Sequence, residues 1–303
     1  MATQTDVSKL EMDNEAEEFR RKNHFQRAMV RLSKDRMTIF ALGILVFFAV
    51  VAYTAPITTQ LLGVDPISEN LSNKFQPPSA EHWLGTDDKG RDHLSRLMYG
   101  AQVSLAVAFS AALLALSIGL ALGIMTGYYG GVFDDIMIWF ITTLNSIPGL
   151  FLLLMISALF RPSPIVFILV LALLGWTGTM RLVRGETISL REREYIIAAR
   201  AMGASDIRIM FQHIMPNLIS IVIISLAIQI GGLILTESAL SYLGFGINPP
   251  TPTWGNMLSD AQSFYDRSAY LVYGPGLLIS ITVLCLYVIG DGLRDAFDPT
   301  AVD

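Results

Sequence analysis

The stretch MTIFALGILVFFAVVAYTAPITTQLLGV, residues 37–64, contains no Lys, Arg, Asp or Glu. A helix needs about 20 apolar residues to cross the hydrocarbon core of a bilayer, and this run exceeds that length. The run follows 36 residues of mixed charge and is too long for the apolar part of a secretory signal, so we expect it to remain as an anchor. The first apolar run therefore predicts a membrane protein.

Five further uncharged runs follow, and each can hold one helix. They are residues 97–133, 136–160, 162–180, 209–236 and 268–290. A seventh uncharged stretch, residues 238–259, is so rich in Gly and Pro that we expect a loop. Since 52% of the residues are hydrophobic and 16% are charged, the chain is predicted to be all-α and polytopic, with six transmembrane helices.

The basic residues predict the orientation. With six spans, the side that holds the N-terminus carries 15 of the 21 Lys and Arg residues. The positive-inside rule then places both termini in the cytoplasm. The expected organisation is a cytoplasmic tail 1–36, a first helix 37–57, an extracytoplasmic segment 58–100, a five-helix core 101–292 and a cytoplasmic C-terminus 293–303.

The cytoplasmic tail divides by charge. Residues 1–18 carry six acids and one lysine, a composition typical of disorder. Residues 19–36 carry seven basic side chains and one acid, and Phe25, Met29 and Leu32 recur at helical spacing. This pattern fits either an amphipathic helix on anionic membrane lipid or a basic segment that only orients the first span.

The run HWLGTDDKGRD, residues 82–92, gathers histidine and aspartate outside the membrane. Its spacing matches no zinc or EF-hand pattern, so a solvated turn with Asx caps is favoured over a metal site. Ser95, His93 and Asp92 are too close in sequence to converge as a catalytic triad, and no G-x-S-x-G motif is present. The single cysteine, Cys285, offers no disulfide framework.

The longest cytoplasmic connection, residues 181–216, predicts a helical hairpin. Ser189 and Glu192 have the spacing of a capping box, which would begin a first helix, and Gly203 can end that helix in the left-handed conformation. Ser205 is a suitable N-cap for the second helix. Small alanines and a rim of arginines favour a docking element, but the same pattern also fits a loop packed on its own membrane domain.

Within the membrane, few polar side chains are candidates for lining a path. Asn145, Ser146 and Pro148 fall near the middle of the third run, where polar groups and a freed carbonyl favour a water-lined or protein-covered face. Glu237 lies at the outer end of the fifth run. It is either an ionisable group with a function or a carboxylate hydrated at the interface.

The segment EYIIAARAMGASD, residues 194–206, with HIMP at 213–216, resembles the EAA coupling motif of ATP-binding-cassette importer permeases. Further motifs occur in order: HWLGTDDKGRD at 82–92, GYYGG at 127–131, LVRG at 182–185, WGNML at 254–258 and GDGLRDAFDP at 290–299. Together they are similar to the C-type permease subunit of the dipeptide, oligopeptide and nickel group. Ile197 replaces the glutamate of the motif, so contacts of that carboxylate do not carry over.

The resemblance implies a type I ABC importer permease fold in a bacterial or archaeal cell membrane. It implies an assembly of this chain with a B-type permease, two ABC ATPase subunits and an extracytoplasmic solute-binding protein, and a cargo of oligopeptides or dipeptides. Nickel and some oligosaccharide importers share these motifs. Residues implied to couple to the ATPase, in a loop at 185–215, are Glu194, Ala198, Ala199, Arg200, Gly203, Ala204, Asp206 and Pro216.

Other functions find little support in the sequence. No Gly is followed by Lys, so the chain has no phosphate-binding loop, and we expect ATP and Mg²⁺ to bind to partner subunits rather than here. An intramembrane hydrolase would need paired catalytic groups at membrane depth, and the four histidines lie outside the runs or at their ends. A self-contained transporter would show internal repeats or charges within spans. Nucleic acid would need a clustered basic face, which a chain of net charge −5 does not offer.

Overall fold

The structure is a computed structural model, and it describes residues 24–160 and 163–297. The α-helices of this part are α1 His24–Lys34, α2 Arg36–Leu62, α3 His93–Tyr129, α4 Gly131–Asn145, α5 Gly149–Phe160, α6 Pro164–Arg191, α7 Glu194–Ala201, α8 Asp206–Arg208, α9 Met215–Tyr242, α10 Trp254–Ala261 and α11 Tyr270–Phe297. A π-helical turn, Ile209–Ile214, joins α8 to α9. The described residues form no strand beyond one isolated bridge between Thr86 and Asp92.

Within residues 24–160 and 163–297, five helices are long and apolar enough to cross a membrane. They are α2, α3, α6, α11 and the continuous helix Asp206–Tyr242, which comprises α8, the π-helical turn and α9 and is called the long helix below. The pair α4 and α5 forms a sixth candidate, bent by 78° at the break between them. The prediction of an all-helical, polytopic membrane chain is confirmed.

Several helices extend beyond their predicted bounds because a capping side chain, rather than the end of the apolar run, sets the boundary. The Asp92 carboxylate accepts a hydrogen bond from the Ser95 backbone N–H at 2.7 Å, so α3 begins inside the segment predicted as 58–100. Asp35 caps α2 in the same way through the Met37 N–H at 3.0 Å. The Thr38 hydroxyl also donates to the Asp35 carboxylate, which lowers the pKa of that group. At its other end α2 continues to Leu62 instead of residue 57.

The most extensive helix contact joins α3 to α6 along a row of glycines spaced four residues apart. A Cβ atom on Gly123 would lie 2.7 Å from the Val183 Cβ atom. Glycine thus lets the two backbones approach closely, which is how helices commonly associate inside membranes. The equivalent contacts join Gly119 to Thr179 and Gly127 to Thr187.

Helix α1 packs against the end of α11. Ala28 is buried with Ala296 and Phe297, and Gly292 of α11 lies so close to Thr38 that no Cβ atom could fit between them. The predicted helix at the basic part of the tail is therefore formed, whereas its placement on lipid stays a prediction. The predicted disordered tail, residues 1–18, lies outside the described residues.

The connection at residues 63–92 is a set of turns held by aspartate caps. Asp87 accepts hydrogen bonds from the backbone N–H groups of Lys89 and Arg91, at 2.9 and 3.0 Å. His82 contacts Asp92 through Nδ1 at 3.0 Å. The predicted Asx caps are confirmed, but the prediction of a solvated turn is wrong, because Thr86, Asp87, Arg91 and Asp92 are buried.

The loop predicted at residues 238–259 is shorter than expected. Helix α9 continues to Tyr242, and α10 begins at Trp254. A capping box between Thr253 and Asn256 starts α10, and that motif was not recognised in the sequence.

Candidate functional site

The hairpin, residues 194–214, begins later than predicted. Helix α6 continues through Ser189 to Arg191 without interruption, and α7 starts at Glu194. Arg193 occupies the N-cap position of α7 and makes no side-chain capping bond. The predicted capping box of Ser189 and Glu192 is therefore wrong, because the preceding residues never leave the helical conformation.

Gly203 forms the turn between the two arms of the hairpin, as predicted. Its φ angle is +84°, in the left-handed region that favours glycine. The turn is closed by hydrogen bonds from the Ala204 N–H to the Ala199 carbonyl at 3.1 Å and from the Gly203 N–H to the Arg200 carbonyl at 3.0 Å. No atom lies within 4 Å of where a Cβ atom would stand on Gly203. The requirement for glycine at this position therefore comes from the backbone conformation and not from lack of space.

The inner face of the hairpin packs on the membrane helices. Ile196 and Ile209 are fully buried against Val183 of α6 and Leu218 of α9. Ala199 is also buried, so it faces the bundle and not a partner. Ala204 packs against the same cluster.

The outer face of the hairpin is apolar and open. Ile197 is 56% exposed and Met202 is 83% exposed. The other large apolar side chains on this surface, which we call the outer face, are Tyr195, Ile207 and Phe211. Among the residues implied to couple to the ATPase, Glu194, Ala198, Arg200, Gly203, Asp206 and Pro216 are exposed. Two further arginines lie at the edge of the outer face, Arg193 before the first arm and Arg208 on the second, and both are exposed like Arg200.

Asp206 anchors the second arm to the bundle. The Tyr128 hydroxyl of α3 donates a hydrogen bond to the Asp206 carboxylate at 2.7 Å, and the Arg200 guanidinium lies 5.3 Å from the centre of the Tyr128 ring. Ser205 accepts a bond from the Arg208 N–H at 3.4 Å, as expected of an N-cap. After Ser205 the chain continues as the long helix, and Pro216 lies in the first turn of α9.

The predicted membrane candidates Asn145, Ser146 and Pro148 lie at the break between α4 and α5. All three are exposed on the surface of this chain. The break follows from proline, which supplies no N–H and disfavours the helical conformation of the residue before it, here Ile147. Irregular backbone at membrane depth is tolerated where it is covered by protein or lines a water-filled space.

Glu237, the fourth candidate, is fully buried rather than hydrated. Its carboxylate accepts hydrogen bonds from the Ser104 hydroxyl of α3 at 3.2 Å and from the Ser241 hydroxyl at 2.7 Å. The exposed fraction of Glu237 is 0%. In this conformation it joins helices and does not line an open surface.

A charge cluster ties the 63–92 connection to α10. Arg91 pairs with Asp87 at 2.7 Å and lies 3.6 Å from Asp260, while Arg96 lies 3.7 Å from the same Asp260. Burial raises the pKa of the neighbouring Asp88 carboxyl, and the Asp87 charge raises it further. Among the described residues no group of three or more His, Cys, Asp and Glu side chains is placed to hold a metal ion.

A polytopic helical bundle with an open apolar hairpin and a bent membrane helix that carries polar residues at its break is typical of a membrane transport component. The family model described as "Binding-protein-dependent transport system inner membrane component" matches residues 119–302. The chain belongs to this family.

Named relatives agree with this assignment. The chain is 39% identical to the dipeptide transport system permease protein DppC of Alkalihalophilus pseudofirmus, over 91% of this chain and 90% of the relative. It is 33% identical to the oligopeptide transport system permease protein OppC of Bacillus subtilis, over 90% of this chain and 88% of the relative. The OppC protein of Mycobacterium tuberculosis H37Rv is 35% identical over 89% of this chain and 93% of its own length.

Proposed function

We propose that this chain is one permease subunit of an ATP-driven, binding-protein-dependent importer of oligopeptides or dipeptides. Family membership supports the transport role, and the names of the relatives support a peptide cargo. The chain forms half of the translocation path, and a B-type permease supplies the other half. The observation that carries the proposal is the hairpin, whose inner face is packed into the bundle while its outer face is open.

The outer face is where we place the docking of an ABC ATPase subunit. Large apolar side chains surrounded by exposed arginines match the usual anatomy of an interface, with an apolar centre and a polar rim. The rim mixes the exposed arginines with the exposed acids Glu192, Glu194 and Asp206, so it favours a partner that offers charges of both signs around its binding groove. ATP and Mg²⁺ then bind to that partner, and this chain carries the resulting movement into the membrane.

The break between α4 and α5 is where we place the path. Its side chains Asn145 and Ser146 and its irregular backbone are exposed in a helix pair apolar enough to span the bilayer. The Ser146 hydroxyl donates to the Thr143 carbonyl at 2.7 Å, but lipid cannot satisfy the exposed Asn145 amide, which therefore requires water or the B-type permease as a neighbour. The break therefore faces the shared interface between the two permeases.

The proposed orientation has both termini in the cytoplasm and the 63–92 connection outside the cell. Cysteines introduced at Lys89 and Asn248, in a variant with Cys285 replaced, are expected to react with a membrane-impermeant maleimide in intact cells. A cysteine at Met202, on the hairpin, is expected to react only after the membrane is opened, in cells that produce the permeases without the ATPase subunits that would cover the outer face. Reaction of Met202→Cys in intact cells would contradict this orientation.

The transport role is tested by reconstitution. The chain purified with its B-type permease, ATPase subunits and loaded binding protein is expected to take up labelled peptide into proteoliposomes when ATP is supplied. The chain without partners is expected to show neither peptide uptake nor ATP hydrolysis. Uptake by the chain alone would instead show a self-contained transporter.

A further inference from the structure

Glu237 stands at a junction of three helices at the end of the bundle that lies opposite the hairpin. One carboxylate oxygen accepts the Ser104 hydroxyl of α3, and the other accepts the Ser241 hydroxyl one turn further along α9. A buried carboxylate is costly in a low-dielectric interior unless its oxygens are hydrogen-bonded. Here both oxygens have partners, and one partner belongs to a different helix.

The same hydrogen-bond chain continues to α10. The Ser104 hydroxyl oxygen accepts the backbone N–H of Trp254, the first residue of α10, at 3.2 Å. The Trp254 indole is fully buried and donates to the Leu97 carbonyl at 3.1 Å. The start of α10 is thus joined to Glu237 through the Ser104 side chain.

Glu237 also belongs to the helix that starts in the hairpin. The long helix runs without a gap from Asp206 to Tyr242 over 37 residues. At 1.5 Å per residue such a helix is about 55 Å long, enough to connect the two faces of a membrane. One end carries the contact between Asp206 and Tyr128, and the other end carries Glu237.

We infer that Glu237 is a positioning residue that fastens α10 to the far end of the long helix, so that displacement of the hairpin moves α10 on the extracytoplasmic face. This inference rests on the proposed function, in which the ATPase acts on the hairpin. Because α10 is tied by Asp260 to Arg91 and Arg96, its movement also reaches the 63–92 connection. The long helix then carries ATP-driven movement to the face where the binding protein delivers cargo.

The test measures a distance in the complete transporter. Spin labels are placed at Leu61→Cys, at the end of α2, and at Ser263→Cys, next to α10, with Cys285 replaced. Double electron–electron resonance then gives the distance between the labels in nanodiscs, without nucleotide and with trapped ATP. In the parent complex the distance distribution is expected to shift between the two states.

Variants separate positioning from a general structural effect. Glu237→Ala is expected to reduce the shift, because α10 then keeps only its packing of Gly255 on Ser238 and Ser241 and loses the hydrogen-bond connection through Ser104. Glu237→Gln retains a side chain that can bond to both serines and is expected to restore the shift. Thr236→Ala is the matched control, since the Thr236 hydroxyl bonds only to the Gly232 carbonyl within its own helix and the shift is expected to remain.

Each result decides the inference. If Glu237→Ala does not assemble, Ser104→Ala is measured instead, because it removes the same connection from α3. A full shift in either variant would overturn the inference, as would a parent complex that transports peptide without any shift. A parent complex that fails to hydrolyse ATP and to transport peptide would refute the proposed function itself.

Discussion

Replacing Gly203 by valine is expected to lower ATP-driven peptide uptake about tenfold while the chain still inserts and joins its partner permease. Gly203 has a φ angle of +84°, and a β-branched residue in that conformation costs about 1–2 kcal/mol. Since about 1.4 kcal/mol corresponds to a tenfold change in an equilibrium, this cost shifts the balance between the native and a tilted hairpin about tenfold toward the tilted one. The measurement is uptake and binding-protein-stimulated ATP hydrolysis in proteoliposomes.

A matched variant separates backbone conformation from side-chain size. Gly203→Asn is expected to keep most of the uptake, because asparagine tolerates the left-handed conformation. The space around Gly203 is open, so asparagine meets no neighbour there. Wild-type uptake by Gly203→Val would show that the turn does not transmit ATP-driven movement.

Replacing Ile197 by aspartate is expected to detach the ATPase subunits, with affinity lowered about thirtyfold or more. Ile197 is 56% exposed on the outer face, which also carries Tyr195 and Met202. Docking would bury it, and an unpaired charge inside an interface costs about 2–4 kcal/mol, which corresponds to about 30-fold to 1,000-fold in affinity. The measurement is the binding of purified ATPase subunits to the two permeases in nanodiscs.

The control for this variant is Ile197→Leu. Leucine keeps the apolar character and nearly the volume of the side chain, so binding is expected to stay within about threefold of the parent. Undiminished binding by Ile197→Asp would place the docking surface elsewhere on the chain. Comparing Ile197→Asp with Ile197→Leu also tests whether an apolar side chain is required for ATPase binding at the position where the EAA motif has a glutamate.

The positions of the spans and the turn of the hairpin could be predicted because each depends on local chemistry. Charged side chains are excluded from hydrocarbon, so the gaps between them mark the membrane helices. Gly203 and Ser205 act on backbone groups within a few residues of themselves, and the structure confirms both. Such features require no knowledge of what packs against them.

Features that depend on distant neighbours were missed. Ser189 and Glu192 have the spacing of a cap, but the same spacing also suits a helix interior, and no residue upstream ends α6. The burial of Glu237 depends on Ser104, which lies 133 residues away in the chain. The bend of 78° between α4 and α5 follows from a proline whose presence predicts a break but not its angle. The row of glycines on α3 is a sequence pattern that indicates close helix packing, and it was not among the predictions.

The packing of α1 and α2 on α11 has a consequence for how the protein is made. A chain is synthesised from its N-terminus, so α1 and α2 emerge long before Gly292, Ala296 and Phe297, against which they pack. Until α11 leaves the ribosome, the N-terminal end of the first span has no native partner there. This contact can therefore form only after α11, the last described span, has been synthesised. In a chain truncated before Gly292, the surface of α1 and α2 that packs on α11 would stay uncovered and be recognised by quality-control proteases.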